Sequence, residues 1–494
     1  MQLKNIINHE TKSVNSAAII LAIASLVSAL LGLIRDRLLA GTFGAGRELD
    51  IYYIAFKIPD FISIVLIIGA ISAAITPIFS HYLVRSKKEA FDFLSNLINV
   101  FLLFLIILSL ILIIFVPQLL YLIAPGFSVE EREMAAVLTR IMFLSPILLG
   151  ISNIISSVLR VFQRFLVTSI APILYNVGII IGILFFVPIA GLKGLAWGVV
   201  LGAFFHLVFQ IPTLIQLGFK FQKKLKLRDP GVKKAIELTI PRSIGLATTQ
   251  INLIIISAIA SILSSGSIAI MNLADNLSRP LYTFIAVSLA TAAFPALTLA
   301  FSKQEKNKFQ DIFSATFKKI FWLTFSLGII LFLFRDLIVK IILHTGKFAL
   351  TDVRLTAICF GIFAVGIFAQ GLVLLIAKSF YALHDTKTPT IISILSAIFN
   401  IVLCFGFIKL LSFPNAFSQF FLNLLNINSL QLTSVAAHPF IVKFLGIYNL
   451  TGIEVIALPL AISVSAVFQF IFLYILFCRK KEKVFQEQSL SEIN

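Results

Sequence analysis

Charge is what this sequence has least of. Only 13% of its 494 residues are Asp, Glu, Lys or Arg, against roughly 25% in an average soluble domain. A water-soluble globule of this length cannot be built so, because a folded surface must keep much polar area in water. A disordered chain is excluded by the opposite excess, since 59% of the residues are hydrophobic. The three cysteines, Cys359, Cys404 and Cys478, all lie in apolar runs and form no CxxC, so no disulfide framework is implied. The six histidines are scattered without HExxH spacing, which argues against a metal site. Gly346-Lys347 has Ile341 where a phosphate-binding loop needs glycine, which disfavours ATP hydrolysis within the chain. No catalytic triad or acid–base pair is visible, and no cofactor is implied.

What is present is apolar sequence in long runs, with a mean hydropathy of +1.03. Runs of about 20 apolar residues recur along the whole length, the pattern of helices that cross a bilayer. The runs predict an all-α polytopic membrane protein of about twelve transmembrane helices. They fall near 16–40, 52–80, 91–123, 135–160, 165–188, 192–218, 236–263, 268–299, 311–334, 352–382, 388–411 and 453–478. Pro59, Pro77, Pro146, Pro172, Pro241, Pro280 and Pro295 lie in or at the ends of these runs. Each removes a backbone donor, so bent or broken helices are expected there.

The net charge of +18 would suggest nucleic acid in a soluble protein. Here the basic residues sit in short loops, and topology accounts for them without nucleic acid. With a cytoplasmic N-terminus, one side carries Lys4, Lys12, the loops 80–93, 218–234 and 301–319, the pairs Arg160/Arg164 and Lys378/Lys387, and the tail 479–483. That side holds 25 basic residues and the opposite side 9. The asymmetry predicts both termini in the cytoplasm.

A shift of 218 residues superimposes Pro77 on Pro295, Arg160 on Lys378, Phe162 on Phe380 and Thr168 on Thr386. The twelve runs then divide six and six, the layout of a two-lobed alternating-access transporter around a central cavity. The expected organisation is a cytoplasmic segment 1–15, an N-lobe 16–218, a basic linker 219–235, a C-lobe 236–478 and a basic tail 479–494. Residues 412–452 form a more polar outer insertion, read as an interfacial loop or a docking element for partners.

Charges inside apolar runs are costly and therefore informative, at about 2.5–3.5 kcal/mol each at a helix centre. Arg35-Asp36-Arg37 closes the first run, Asp50, Lys57 and Asp60 open the second, and Asp275 and Arg279 sit one turn apart in the eighth. Ser28 shares a helix face with Arg35, and Asp50 with Lys57. Together they suggest a polar, basic cavity. Arg35 and Arg37 also suit interfacial anchors, Asp275–Arg279 also suits a structural pair, and Arg242 after Pro241 reads as an anchor.

These residues carry a resemblance. Leu31-Gly32-Leu33-Ile34-Arg35-Asp36, Phe43-Gly44-Ala45-Gly46, Asp50 and Ala55-Phe56-Lys57-Ile58-Pro59 resemble the MurJ (MviN) family of lipid II flippases, within the multidrug/oligosaccharidyl-lipid/polysaccharide exporter superfamily. Further matches are Ala124-Pro125-Gly126-Phe127, Arg164-Phe165, Ala171-Pro172, Ala274-Asp275, Gly346-Lys347-Phe348, Ser379-Phe380-Tyr381 and Asp385-Thr386-Lys387-Thr388-Pro389. The resemblance covers about residues 16–411 and resumes in the last run.

It implies a transporter that moves lipid II, the undecaprenyl-pyrophosphate-linked peptidoglycan precursor, across the bacterial inner membrane for cell-wall synthesis. Arg35, Lys57, Arg279, Ser28 and Asn276 are then the substrate-contact candidates. Asp36, Asp50 and Asp275 would organise those cations or gate the cavity. Partners would be lipid II and membrane lipids; a scaffold for cell-wall synthesis proteins is the alternative of a different class, and another exporter of the superfamily the nearer one. Ala29, Ser63 and Asn276 stand where the family often carries arginine, so the expected cavity is less basic than usual. The chain ends after twelve runs, so a tail groove made by two further helices is expected to be absent or built differently. The seventh run beyond Glu237 and the eleventh offer no carboxylate for a sodium ion.

Overall fold

The computed structural model describes residues 14–412, 417, 433–434, 449–450 and 452–491. Nearly all of the insertion 412–452 lies outside the described residues, as do the first 13 residues and the end of the tail. Among the described residues the chain is helical throughout, apart from one two-residue antiparallel pairing of Thr433–Ser434 with Asn449–Leu450.

The chain divides into two compact units. One takes in the described residues up to Phe43 together with Arg47–Ser257, and the other Gly44–Gly46 with the described residues from Ala258 onward.

In the first unit the order is α1 (Val14–Phe43), α2 (Arg47–Ile62), a π-helical segment (Ser63–Ile71), α3 (Ser72–Arg85), α4 (Lys87–Ile123), α5 (Val129–Met142) and α6 (Leu144–Val161). There follow α7 (Phe165–Ile181), a second π segment (Gly182–Phe186), α8 (Val187–Ala190), α9 (Leu192–Val208), α10 (Ile211–Gln216) and α11 (Pro230–Ile262), within which the division falls. Ser86 caps α4 by accepting from the Glu89 backbone N–H. Ser128 and Glu131 form a reciprocal capping box that starts α5. Asp229 caps α11, accepting from the N–H groups of Gly231 and Val232.

The second unit contains α12 (Ser267–Tyr282), a third π segment (Thr283–Val287), α13 (Ser288–Ser302), α14 (Lys306–Leu333), α15 (Arg335–Leu343), α16 (Leu350–Ala382), α17 (Lys387–Ser412), a 3₁₀ turn (Ile453–Ile456) and α18 (Ala457–Ser491). Its packing centre is α16, against which α14, α18 and α12 lie.

Ten of the twelve expected runs are helices long and apolar enough to cross a membrane, by length and composition. The runs 52–80 and 236–263 are not among those ten; in the second, Leu246–Ile262 is a shorter apolar helix. Pro59 precedes the first π segment and Pro280 the third. A proline withholds the N–H that an α-turn needs, and the ladder re-forms with a wider ring. The hydroxyls of Ser63 and Ser288 take up loosened carbonyls, donating to Pro59 O (3.0 Å) and Thr283 O (3.3 Å).

Two means of close packing recur. Gly178 and Gly182 of the α7 stretch face Gly194, Gly198 and Gly202 of α9. A Cβ on Gly198 would sit 2.6 Å from the Gly182 Cα, so the two backbones touch. Small polar residues also join helices, as in the second unit. Ser396 Oγ donates to Ser465 O, Asn400 Nδ2 to Ser465 Oγ and Gln469 Nε2 to Ser393 Oγ, linking α17 to α18. Each unit also has an aromatic core, Phe79, Phe91 and Phe162 in the first and Phe309, Phe313, Phe380 and Phe477 in the second.

Candidate substrate site

One polar network of the first unit joins α1 to α7. Arg35 Nε and Nη2 both donate to Asp36 Oδ1, at 3.0 and 2.8 Å. Its Nη1 donates to Asn176 Oδ1 at 3.2 Å. Asn176 Nδ2 in turn reaches Ser28 Oγ (3.3 Å), Ser28 O (3.4 Å) and Pro172 O (3.3 Å). The Ser28 and Arg35 predicted to share a face of α1 are thus joined through Asn176 on α7. Asp36 is buried, and the Arg35 side chain is only 22% exposed. Such a guanidinium is held in orientation by a charge-assisted pair and an amide, which a lone snorkelling arginine would not need.

Tyr52, Tyr53, Tyr175 and Asp60 lie within electrostatic range of this network. The Tyr53 hydroxyl is buried without a hydrogen-bond partner among the described residues. Sequence reasoning missed Asn176 and the tyrosines. Asn176 was findable as the only amide in an otherwise apolar helix, whereas a tyrosine in a span reads as packing.

Asp50 occupies a different place. It is fully buried in the first turn of α2, with Arg47 Nη1 3.7 Å from its carboxylate. Arg47 Nε also reaches Glu131 at 3.1 Å, and its guanidinium stacks over Phe127 with 5.1 Å to the ring centroid. The Ala124–Phe127 stretch therefore serves as the seat of Arg47, pinning the start of α2 to that of α5. Lys57 is half-buried on α2 with Asp60 one turn on.

In the second unit Arg279 Nε donates to Asp275 Oδ2 at 2.6 Å, one turn back on α12. Arg279 is 58% exposed and Asp275 30%. Asn276 is half-buried beside them. The candidates thus fall into two groups: Ser28, Arg35, Asp36, Asp50 and Lys57 in the first unit, and Asp275, Asn276 and Arg279 in the second.

Several other quoted stretches turn out to be joints. Gly44, at φ +66°, lies against the backbone of Lys347, where a Cβ would meet the Lys347 carbonyl oxygen at 2.9 Å. Phe43–Gly46 and Gly346–Phe348 therefore meet in space, with Phe348 fully buried. Asp385 caps α17 through the N–H groups of Lys387 and Thr388 and accepts from the Thr388 hydroxyl and from Lys480 Nζ (2.6 Å), tying that turn to α18. Burial opposes ionisation of this carboxyl, but the bonds from Lys480 and Thr388 outweigh it and hold it near a pKa of about 2.

An all-helical fold of two units, built on long apolar helices that hold only a few charges, defines the class of polytopic helical membrane proteins. Solved structures bear this out at the level of fold. The chain resembles a lipid II flippase MurJ in an inward closed conformation, with TM-score 0.72 and 24% identity over 96% of this chain and 91% of that one. It also resembles an inward-facing multidrug resistance MATE family transporter of the MOP superfamily, with TM-score 0.68 and 13% identity over 94% and 98%. Within that class, the family model described as lipid II flippase MurJ matches residues 39–418. A probable lipid II flippase MurJ of Buchnera aphidicola subsp. Schizaphis graminum is 30% identical over 379 residues, covering 76% of this chain and 74% of that protein. The lipid II flippase MurJ of Burkholderia cenocepacia is 28% identical over 379 residues, covering 75% and 73%. The chain belongs to the MurJ family.

Proposed function

We propose that this protein is a transporter that flips lipid II from the inner to the outer leaflet of the bacterial cytoplasmic membrane, by alternating access of the lobes 16–218 and 236–478 with both termini in the cytoplasm. The observation that carries the reading is membership of the MurJ family across most of the chain. The chemistry of the first unit is compatible with it. A pyrophosphate carries paired anionic oxygens, and a guanidinium offers parallel N–H donors that match them. Arg35 supplies such donors on a side chain already oriented by Asp36 and Asn176. Arg35 is paired with Asp36 and Arg279 with Asp275, so Arg279 is a candidate for donors more than for net charge, and Lys57 is the candidate for the further cation. Ser28, Asn276 and the buried hydroxyl of Tyr53 add neutral donors. Asp36, Asp50 and Asp275 position or gate these cations. No bond is made or broken in the cargo, and the polyprenyl tail stays in lipid.

The experiment is depletion of the resident lipid II flippase in a bacterium, rescue with this chain, and measurement of lipid II in the outer leaflet. Rescue is expected from the wild-type chain. Arg35→Ala should insert normally, because losing a charge eases insertion, yet fail to deliver lipid II; Arg35→Lys should retain part of the activity. Rescue by Arg35→Ala at the wild-type rate would return Arg35 to the role of an anchor. Deletion of 412–452 followed by pulldown of cell-wall synthesis proteins tests the docking role proposed for that insertion.

A further inference from the structure

The basic stretch between α10 and α11 is a built feature and not a slack tether. Asn99 Nδ2 donates to the carbonyls of Gln222 and Lys224, both at 2.8 Å. Asn96 exchanges two bonds with the Lys226 backbone, at 3.0 and 2.6 Å. Asp92 accepts from Gln222 Nε2 (2.5 Å) and from Lys224 Nζ (3.0 Å). Asp92, Asn96 and Asn99 lie on one face of α4 and act as a rail along which the segment is strapped in extended form.

An extended strand sends alternate side chains to opposite sides. Gln222 and Lys224 turn to the rail. Phe221, Leu225 and Leu227 do not, and are 55%, 53% and 62% exposed. Lys220, Lys223, Lys226 and Arg228 are exposed among them. Three large apolar side chains set between cations on a fixed backbone make a poor water-facing surface and a good interfacial one.

The level of the strap supports that occupant. Residues 101–123 of α4 carry no charge. At about 1.5 Å per residue they already exceed a hydrocarbon thickness of about 30 Å. Residues 87–100, which bear the rail, therefore extend past the hydrocarbon to the depth of the headgroups. The strap also carries five cations of its own and no carboxylate from 220 to 228.

We propose that residues 220–228 form a membrane-surface strap that recognises anionic phospholipid headgroups of the adjacent leaflet, its lysines and Arg228 meeting phosphate while Phe221, Leu225 and Leu227 enter the acyl boundary. This goes beyond substrate transport: it assigns a lipid contact to the segment that joins α10 to α11.

The test places a polarity-sensitive fluorophore on Leu227→Cys in the full chain with Cys478→Ser, Cys359 and Cys404 being buried. The protein is reconstituted in nanodiscs of phosphatidylcholine, with or without phosphatidylglycerol, and quenched by acyl-chain nitroxide lipid. The expected result is blue-shifted emission with severalfold stronger quenching when phosphatidylglycerol is present. High salt, or Lys223→Gln with Lys226→Gln and Arg228→Gln, should reduce that quenching severalfold. The salt series needs no further substitution, so a misfolded charge variant does not protect the idea. A water-like spectrum in both lipids, as expected if the strap faces water or awaits a protein, overturns the proposal. So does equal quenching in both lipids.

Discussion

The turn that ends α6 and the turn that ends α16 share one backbone and differ in chemistry. In the first, Gln163 adopts φ +56° and the N–H groups of Phe162, Gln163 and Arg164 return to Val158, Arg160 and Leu159. In the second, His384 adopts φ +60° and the N–H groups of Leu383, His384 and Asp385 return to Ser379, Tyr381 and Phe380. The turns correspond at a shift of 221 residues, three away from the shift that matched residue types. The first unit then starts α7 at Arg164 with no side-chain cap, while the second starts α17 under Asp385, locked to Lys480. The same contrast runs through both units. The first buries charge in the network around Arg35, whereas the second exposes its Asp275–Arg279 pair. The same turn also ends α13 at Gln304, φ +58°, so the backbone motif is general to helix ends and the side chains around it make the difference.

The largest effect is expected where backbone meets backbone. Gly198→Leu should abolish the folded protein in size-exclusion chromatography, since neither Gly182 nor its helix can retreat and overpacking costs about 1–3 kcal/mol even where side chains can shift. Gly366→Ala in the second unit should do less damage, because the new Cβ meets the Ser463 side chain, 2.5 Å from a hydroxyl that can rotate and 3.0 Å from its Cβ. Equal damage from both would erase the distinction between meeting a backbone and meeting a side chain.

Next come the cations. Arg279→Ala should lower flipping far less than Arg35→Ala in the rescue assay, and should cost only about 0.3–0.5 kcal/mol of stability as an exposed pair one helical turn apart. A loss as complete as that of Arg35→Ala would show that the second unit carries the substrate charge equally.

Asp385→Ala should destabilise the second unit by about 1–2 kcal/mol, through the lost cap and the stranded Lys480. Its pH signature is set by direction. The folded pKa of about 2 lies below the unfolded value near 4. Its stabilisation is therefore present above about pH 4 and is lost as pH falls toward 2. Thermal unfolding in detergent from neutral to acid pH should show the wild-type and Asp385→Ala curves converging. The smallest effects belong to the turns: Gln163→Gly and His384→Gly should each stabilise by up to about 1 kcal/mol, because only glycine adopts positive φ freely.

The apolar helices and the family were legible from the residues because apolar runs and local signatures act through neighbours in sequence. The π segments after Pro59 and Pro280 have a local cause too, since each proline withholds a backbone donor. The candidate site was legible only in part. Arg35 and Ser28 could be put on one face of α1 by counting, but Asn176, which joins them, is 141 positions from Arg35. Asp50 could be paired with Lys57 by the same counting, yet in the structure Arg47 lies against it, inside a network that reaches Glu131 on another helix.

By itself, then, the sequence determined that this chain must live in a bilayer, as helices, with few charges and those in chosen places. Desolvation decides that, residue by residue, whatever the helices later touch. Tertiary structure alone decided which of those charges are joints and which are gathered into the network around Arg35. It made the Gly44 and Gly346 stretches into one contact, turned Asp385 into a lock on α18, and strapped the basic linker to a rail on α4. A hydrogen bond of about 3 Å depends on where two helices cross, and that crossing is set by the packing of every residue between them.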